Sequence, residues 1–322
     1  MGDNIYKAGL RKSNSNSNII DRQMDFITPS DRIQMKFVPG NHDWNYMRTG
    51  GLKRIVRQEQ YVTSKGNKNI SFHPQDGRPG PVRQQFNEIN LDVIFIDSQW
   101  FLQSRFMQRV VSDKSEPSEN LERIRFWQQL ANYIGESKKN GNDIIFVMHH
   151  PFYSIGGHGQ SKWLLKTFSN YIPVLQLFPL ITFGNYGPYN FLSQDIPHKR
   201  YQNLKEGIYK LLNEEYPDAN VIFAAGHQHN LQYWKENDKD YHHLVSGSVS
   251  KTDPYIKRLT NSNKLKDAQL LFPDIESGVK DENKITGLSG YIKIKVLPRD
   301  YYFVINYMGV KEWISETYHI IR

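Results

Sequence analysis

Apolar runs that stop abruptly at short loops of histidine, asparagine and aspartate are the feature that most limits how this chain can fold. Three such runs, each typical of a β-strand, lead into GNHD at 40–43, HHP at 149–151 and GHQH at 226–229. A fourth loop of the same character, GDNIY at 2–6, opens the chain. Open α/β sheets present such loops at the carboxyl ends of their strands. The pattern therefore predicts an α/β (α+β) fold with the loops along one sheet edge.

The run at 221–225 delivers two histidines, His227 and His229, directly after Gly226. Histidine is the commonest metal ligand in proteins, and a glycine turn would let the two imidazoles point toward two neighbouring ions. The alternative is a loop that holds two solvated histidines. The motif is only four residues long, so it needs support from the other loops.

The other loops offer ligands of matching chemistry. They contain Asn41, His42 and Asp43 after one strand, His149, His150 and His158 after another, and Asp3 and Tyr6 at the start. The chain has no cysteine, which excludes disulfides, thiolate ligands and cysteine nucleophiles. Any metal would have to be held by His, Asn, Asp and Tyr.

Charge and hydropathy narrow the choice of partners. The net charge of +8 favours anionic partners, but the basic residues are scattered, so solvated faces are favoured over a nucleic-acid groove. No apolar run approaches the roughly 18–20 residues that span a bilayer, and the first residues lack the pattern of a secretory signal. The sequence indicates neither oligomeric state nor localisation.

Periodicity predicts one domain over 1–322 with a βαβ-like unit at its centre. The predicted helices are 52–63, 116–139 and 201–213, and the predicted strands are 33–39, 91–99, 143–148, 221–225 and 241–250. A hairpin is expected at 290–308 and loops at 67–81 and 251–286, while 163–200 is expected to form an insertion or lid. His242 and His243 are expected to be structural or exposed.

Taken in order, GDNIY, GNHD, the HHP loop and GHQH resemble the motifs of the calcineurin-like metallophosphoesterases. The tyrosine of GDNIY, the SIGGHG ending at His158 and the NLQYW after His229 are most similar to purple acid phosphatases of the tartrate-resistant type and their bacterial relatives. The resemblance covers about residues 1–250. It implies a four-layer sandwich of two mixed β-sheets flanked by helices.

The resemblance also implies a dinuclear metal centre. Asp3 would bridge two ions, with Tyr6 and His229 on the first ion. The second ion would be bound by Asn41, His149 and His227. Iron is expected beside Tyr6, because a phenolate suits a hard ferric ion, and iron, zinc or manganese at the other position.

Catalytic roles follow from the same resemblance. His42 would contact the phosphate or protonate the leaving oxygen, Asp43 would orient its imidazole, and His158 would be a second such histidine; His150 is given no role. The implied reaction is two-metal hydrolysis of a small phosphorylated substrate, most simply a phosphomonoester. A non-catalytic metal- or phosphate-binding remnant and a phosphodiesterase or nuclease are the alternatives.

The sequence departs from the family at its beginning. The family has an earlier strand that ends in an aspartate and supplies another ligand to the first ion, and this sequence starts after that place. We therefore expect an N-terminally truncated domain that lacks its first strand and has an incomplete first metal site. Full-length relatives suggest a secreted or periplasmic location.

Overall fold

The centre of the computed structural model is a seven-stranded mixed sheet. The structure describes residues 2–47, 50–102, 119–156, 199–248, 251–253, 267–273, 287–298, 300–309 and 312–321. The strands of this sheet are β3 Val82–Phe86, β4 Leu91–Phe95, β5 Asp143–Val147, β6 Val221–Ala225, β7 Leu231–Glu236, β8 Tyr241–Ser246 and β9 Ala268–Phe272. They lie in the order β3, β4, β5, β6, β8, β7, β9. Strands β4, β5, β6 and β8 run parallel to one another, whereas β3 and β7 are antiparallel to their neighbours.

The parallel strands at the middle of the sheet are covered on both faces. All five residues of β6 are buried, as are the first four of β5, which explains why both read as continuous apolar runs. The predicted strands at 91–99, 143–148 and 221–225 are confirmed, although the first ends earlier, at Phe95. The loops that follow β5 and β6 leave the sheet at the same edge, because parallel strands end on the same side.

Helices cover one face of the sheet. They are α3 Ser98–Leu102, α4 Glu119–Asn140 and α5 Lys199–Glu215. In α4, Phe126, Leu130 and Ile134 recur every four residues and are buried in one cluster with Leu204 and Ile208 of α5. The predicted helices at 116–139 and 201–213 are therefore confirmed, with slightly different ends.

A three-stranded antiparallel sheet covers the opposite face. It consists of β10 Gly290–Val296, β11 Asp300–Met308 and β12 Trp313–Ile321, with β11 in the middle. Tyr301, Phe303 and Ile305 of β11 are buried against apolar residues of the central sheet. Among the described residues there are thus three layers: the helices, the mixed sheet and the antiparallel sheet. The second sheet was expected to be mixed, but its strands are all antiparallel.

The segment before the central sheet forms a smaller unit. Strand β1 Met35–Phe37 pairs in parallel with β2 Ile70–Phe72, next to α1 Asn18–Met24 and α2 Gly51–Ser64, and a 3₁₀ turn lies at Asn45–Met47. Another 3₁₀ turn, Asn87–Ile89, connects β3 and β4 of the central sheet. Helix α2 confirms the prediction at 52–63. Trp44 joins this unit to the end of β4, because its indole Nε1 donates to Asp97 Oδ2 at 2.7 Å.

Several strands were not predicted from the sequence. Strands β2 and β9 lie in stretches predicted as loops, and β3, β7 and β12 were not predicted. Strands β2, β3, β9 and β12 lie at sheet edges, where apolar alternation is weak; the burial of β3, for example, is intermediate throughout except for one exposed residue. Strand β7 is different, because it lies between β8 and β9 and five of its six residues are buried. The expected insertion or lid at 163–200 lies outside the described residues except for 199–200.

His242 and His243 of β8 are structural, which agrees with the sequence analysis. Both are buried; His242 Nδ1 lies 2.9 Å from Tyr233 Oη, and His243 Nε2 lies 2.9 Å from Glu236 Oε1. Within the described ranges, no helix combines the length and the apolar character needed to cross a membrane.

Candidate metal centre

The four loops singled out by the sequence meet at one edge of the central sheet. The loops after β1, β5 and β6 come together there, and the segment at 2–6 lies between them. Asp3 Oδ1 accepts the backbone N–H of His42 at 2.9 Å, which places Asp3 next to the GNHD loop. All six expected metal ligands are brought into one cluster, which we describe as two donor sets that share Asp3.

The buried donor set consists of Asn41, His149 and His227 together with Asp3 Oδ1. His149 Nε2 lies 2.9 Å from Asn41 Oδ1, 3.1 Å from His227 Nδ1 and 3.4 Å from Asp3 Oδ1. The side chains are almost inaccessible to solvent, at 4% exposure for Asn41, 1% for His149 and 5% for His227. Four nitrogen and oxygen donors thus converge in a small polar space.

The rim donor set consists of Tyr6 and His229 together with Asp3 Oδ2. Tyr6 Oη lies 2.9 Å from His229 Nε2 and 3.4 Å from Asp3 Oδ2. Tyr6 is only partly buried, so this set lies nearer the surface. The two oxygens of Asp3 therefore face different donor sets, as a bridging carboxylate requires.

The spacing of these donors suits metal ions. Bonds of about 2.1 Å at angles between about 90° and 109° separate two donors by about 3.0–3.4 Å. The distances from 2.9 to 3.4 Å in both sets match that separation. Imidazole, amide, phenol and carboxylate donors without thiolate suit zinc, iron or manganese.

Backbone conformation lets the two histidines of GHQH diverge. His227 adopts a left-handed conformation with φ 61°, and its imidazole faces His149, whereas His229 faces Tyr6. Asp3 is also left-handed, with φ 55°. Glycine is required at position 40, because a Cβ there would lie 2.4 Å from Asp3 Oδ1 and 2.9 Å from His149 Cε1.

The electrostatics of the cluster favour a charged Asp3. Burial opposes its ionisation, yet His149 and His42 hold the pKa of the Asp3 carboxyl well below its ordinary range. Burial and the Asp3 carboxylate raise the pKa of the Tyr6 phenol well above its ordinary value. Without a cation, therefore, Tyr6 is a neutral phenol; a bound cation would favour its phenolate.

His42 lies beside the donor sets rather than within them. Its ring is sandwiched between Tyr6 and Tyr46, with centroids 4.2 and 4.3 Å away. Nδ1 lies 2.9 Å from the carbonyl oxygen of Lys7, and Nε2 lies 3.1 Å from Tyr46 Oη and 3.8 Å from Asp3 Oδ2. Because a carbonyl only accepts, Nδ1 carries the proton, and Nε2 of the neutral ring faces the centre. Burial lowers the pKa of His42 against the opposing influence of Asp3.

Asp43 does not orient His42, which corrects the expectation from sequence. Its carboxylate accepts the backbone N–H groups of Gly40 at 2.9 Å and of Asn4 and Ile5 at 3.1 Å, and the side-chain amide of Asn4 at 3.1 Å. Asp43 therefore joins the segment 2–6 to the GNHD loop. Burial, with the nearby Asp3 charge, raises the pKa of Asp43 to about 6.

Sequence reasoning missed two residues at the cluster. His150 was given no role, yet its imidazole forms a buried group with those of His149 and His227, with one ligand atom from each lying within 4.8 Å of the others. Its Nδ1 lies 2.8 Å from Ser98 Oγ. The signal available in the sequence was that His150 directly follows His149.

Asp253 is the second missed residue. Its Oδ2 lies 2.6 Å from His229 Nδ1 and its Oδ1 lies 3.0 Å from Lys251 Nζ. Burial opposes its ionisation, but His229 and Lys251 hold the pKa of Asp253 below its ordinary value. It lies in a polar stretch predicted as loop, where no pattern marked it. His158 lies outside the described residues.

Comparisons with known proteins give a likeness of fold. No family model and no curated protein matches the chain. A solved structure described as "GAP50 the anchor in the inner membrane complex of Plasmodium" is 16% identical, with a TM-score of 0.50 over 98% of this chain and 74% of that one. A dimetal phosphatase from Danio rerio is 11% identical, with a TM-score of 0.43 over 95% and 78% of the two chains. PhoD is 12% identical, with a TM-score of 0.47 over 98% and 62%. At 16% identity the chain shares the fold of the first structure.

Proposed function

We propose that the chain is a metal-dependent phosphoester hydrolase, most simply a phosphomonoesterase, with a dinuclear metal centre. The observation that carries the proposal is the sharing of Asp3: one carboxylate oxygen lies in the buried donor set and the other in the rim donor set. A carboxylate between two sets of neutral donors is the arrangement expected for two adjacent cations. The motif order that resembles purple acid phosphatases supports the same assignment.

Different residues would bind the two ions of such a centre, apart from the shared Asp3. Asp3, Asn41, His149 and His227 would hold one ion, and Asp3, Tyr6 and His229 would hold the other. Bound ions in such a centre would stabilise the phosphoryl oxygens as Lewis acids and lower the pKa of a water toward neutrality. Tyr6 favours iron at the rim, while iron, zinc or manganese suits the buried set.

His42 is proposed to supply the proton for the leaving oxygen. Its Nδ1–H donates to the Lys7 carbonyl, which fixes the ring so that Nε2 faces Asp3 and the rim donors. In the protonated ring Nε2–H is the donor that would serve the leaving group. The rings of Tyr6 and Tyr46 on either side restrict its rotation. A role for His158 rests on the resemblance alone.

A non-catalytic metal- or phosphate-binding protein is the second candidate. It is favoured by the size of the rim set, which has three side-chain donors, Asp3, Tyr6 and His229, among the described residues. Fewer donors give weaker binding, so the rim ion is the one that such a protein would lose. The buried set would then keep a single ion without turnover.

The test combines metal content with substrate preference. Elemental mass spectrometry of the purified chain should give two ions per protein, with iron among them, and p-nitrophenyl phosphate should be hydrolysed faster than bis(p-nitrophenyl) phosphate. His319→Ala, at an exposed histidine on β12, is the matched control and should change neither result. One ion without hydrolysis supports the non-catalytic candidate, and a preference for the diester supports a phosphodiesterase or nuclease on this scaffold.

A further inference from the structure

His229 is engaged through both of its ring nitrogens. Nδ1 lies 2.6 Å from Asp253 Oδ2, and Nε2 lies 2.9 Å from Tyr6 Oη. Because a carboxylate only accepts hydrogen bonds, Nδ1 carries the ring proton, and the lone pair of neutral His229 stays on Nε2. That lone pair faces Tyr6 and, through Tyr6, Asp3. The carboxylate thus selects the tautomer that can bind a cation at the rim.

Asp253 is itself held in place. Its backbone N–H donates to the carbonyl oxygen of His229 at 2.7 Å, and its Oδ1 accepts from Lys251 Nζ at 3.0 Å. Residues 229 and 253 are therefore joined by a backbone and a side-chain hydrogen bond at once. The side chain of Asp253 is 29% exposed and that of His229 is 10% exposed, so the pair lies at the edge of the centre rather than deep within it.

We infer that Asp253 is a positioning residue of the rim donor set, which fixes the tautomer and the ring orientation of His229 without touching substrate. The inference rests on the proposed function, since it names the residue that prepares His229 for the rim ion. Metal-binding histidines commonly donate their second N–H to a carboxylate, and loss of that partner weakens metal affinity by about 10–100-fold. Lys251 Nζ lies 3.0 Å from Asp253 Oδ1 and 3.5 Å from His229 Nδ1, so the carboxylate at 2.6 Å is the nearer partner of Nδ1. The buried donor set makes no contact with Asp253 among the described interactions.

Asp253→Asn tests this role and Asp300→Asn is its matched control. Asp300, at the start of β11, also accepts from a histidine at 2.9 Å, but that histidine is the exposed His319 of β12. Chelator-treated protein is titrated with Zn²⁺ or Mn²⁺ by calorimetry. In Asp253→Asn, affinity at the rim should fall about 10–100-fold while the buried set is unchanged. Asp253→Glu keeps the carboxylate and should recover part of the loss, whereas Asp300→Asn should match the unmodified chain.

A second measurement needs no metal. Imidazole ¹⁵N–¹H correlation spectra of the chelated, unmodified chain should show His229 as the Nδ1–H tautomer, and Asp253→Asn should shift it toward a mixture. An Nε2–H tautomer in the unmodified chain, or unchanged rim affinity in Asp253→Asn, would overturn the inference. If the unmodified chain binds no ion, the proposed function fails, and the tautomer of His229 then decides the role of Asp253 by itself.

Discussion

The two donor sets on either side of Asp3 both offer nitrogen and oxygen donors, but they differ in how those donors are supported. The buried donor set comes from loops at the ends of strands, with His149 after β5 and His227 after β6. The rim donor set takes Tyr6 from a segment without regular structure and relies on Asp253 to hold His229. Strand ends fix side chains through the sheet, whereas loops need hydrogen bonds from other loops. We therefore expect the buried set to bind its ion more tightly than the rim set.

Asp3→Asn should have the largest effect, because Asp3 is the one residue common to both sets. An amide keeps the shape but loses the negative charge and one acceptor oxygen. We expect loss of both ions and hydrolysis no faster than in a blank, measured by elemental mass spectrometry and by p-nitrophenyl phosphate turnover. Retention of one ion at full affinity would show that Asp3 serves only one set.

His227→Ala should separate the two sets. The change removes Nδ1 at 3.1 Å from His149 Nε2 and leaves Tyr6 and His229 untouched. We expect the ion of the buried set to be lost, together with hydrolysis, as also for Asn41→Ala. Calorimetric titration should show one remaining weak site. Two intact sites in this variant would contradict the division into donor sets.

His42→Ala should leave both sets in place and slow the chemistry alone. The backbone N–H of His42, which alanine keeps, donates to Asp3 Oδ1, while its imidazole packs against Tyr6 and is the proposed proton donor. We expect unchanged metal content and a fall in kcat of about 10²–10⁴-fold. If metal were lost as well, His42 would belong to a donor set.

The smallest effect is expected for Asp97, the buried carboxylate that joins Trp44 to the end of β4. Burial raises the pKa of Asp97 to about 7, against the hydrogen bonds that its carboxylate accepts from Trp44 and Trp100. A carboxyl with a raised pKa in the folded state favours folding when protonated, so this stability is present below about pH 4 and is lost as pH rises through about 7.

Asp97→Asn removes that titration. The free energy of unfolding of the variant, relative to the unmodified chain, should increase between about pH 4 and pH 7 and then stay constant. Denaturant unfolding of chelator-treated protein at several pH values measures it. A constant difference across this range would contradict the raised pKa.

The predictability of this chain depends on how continuous each pattern is. The buried strands at 143–148 and 221–225 were predicted because their apolar residues form continuous runs. The helix at 52–63 was predicted as well. Strands β2 and β9 were read as loops, since three to five residues in a polar stretch carry little periodic signal. The antiparallel nature of the second sheet and the three layers could not be predicted, because register depends on packing between distant segments.

The candidate site shows the same division. The four loops were predicted to carry the donors, and the structure brings Asp3, Tyr6, Asn41, His149, His227 and His229 together. Their roles as ligands remain proposals. The resemblance assigned Asp43 to His42, but its carboxylate accepts the backbone N–H groups of Asn4, Ile5 and Gly40. Asp253 lies 24 residues beyond His229 in sequence, and only folding brings the two side chains together.

Asp43 also makes the candidate centre depend on a local folding equilibrium. The segment 2–6 carries Asp3 and Tyr6 but belongs to no strand or helix, and the carboxylate of Asp43 binds its backbone at Asn4 and Ile5. Opening of that segment would remove a donor from both sets at once. A cation bound there therefore works against the opening, by RT ln(1 + [L]/Kd) when it binds only the closed form. The amide hydrogens of Asn4 and Ile5 should accordingly exchange with solvent more slowly as the metal concentration rises.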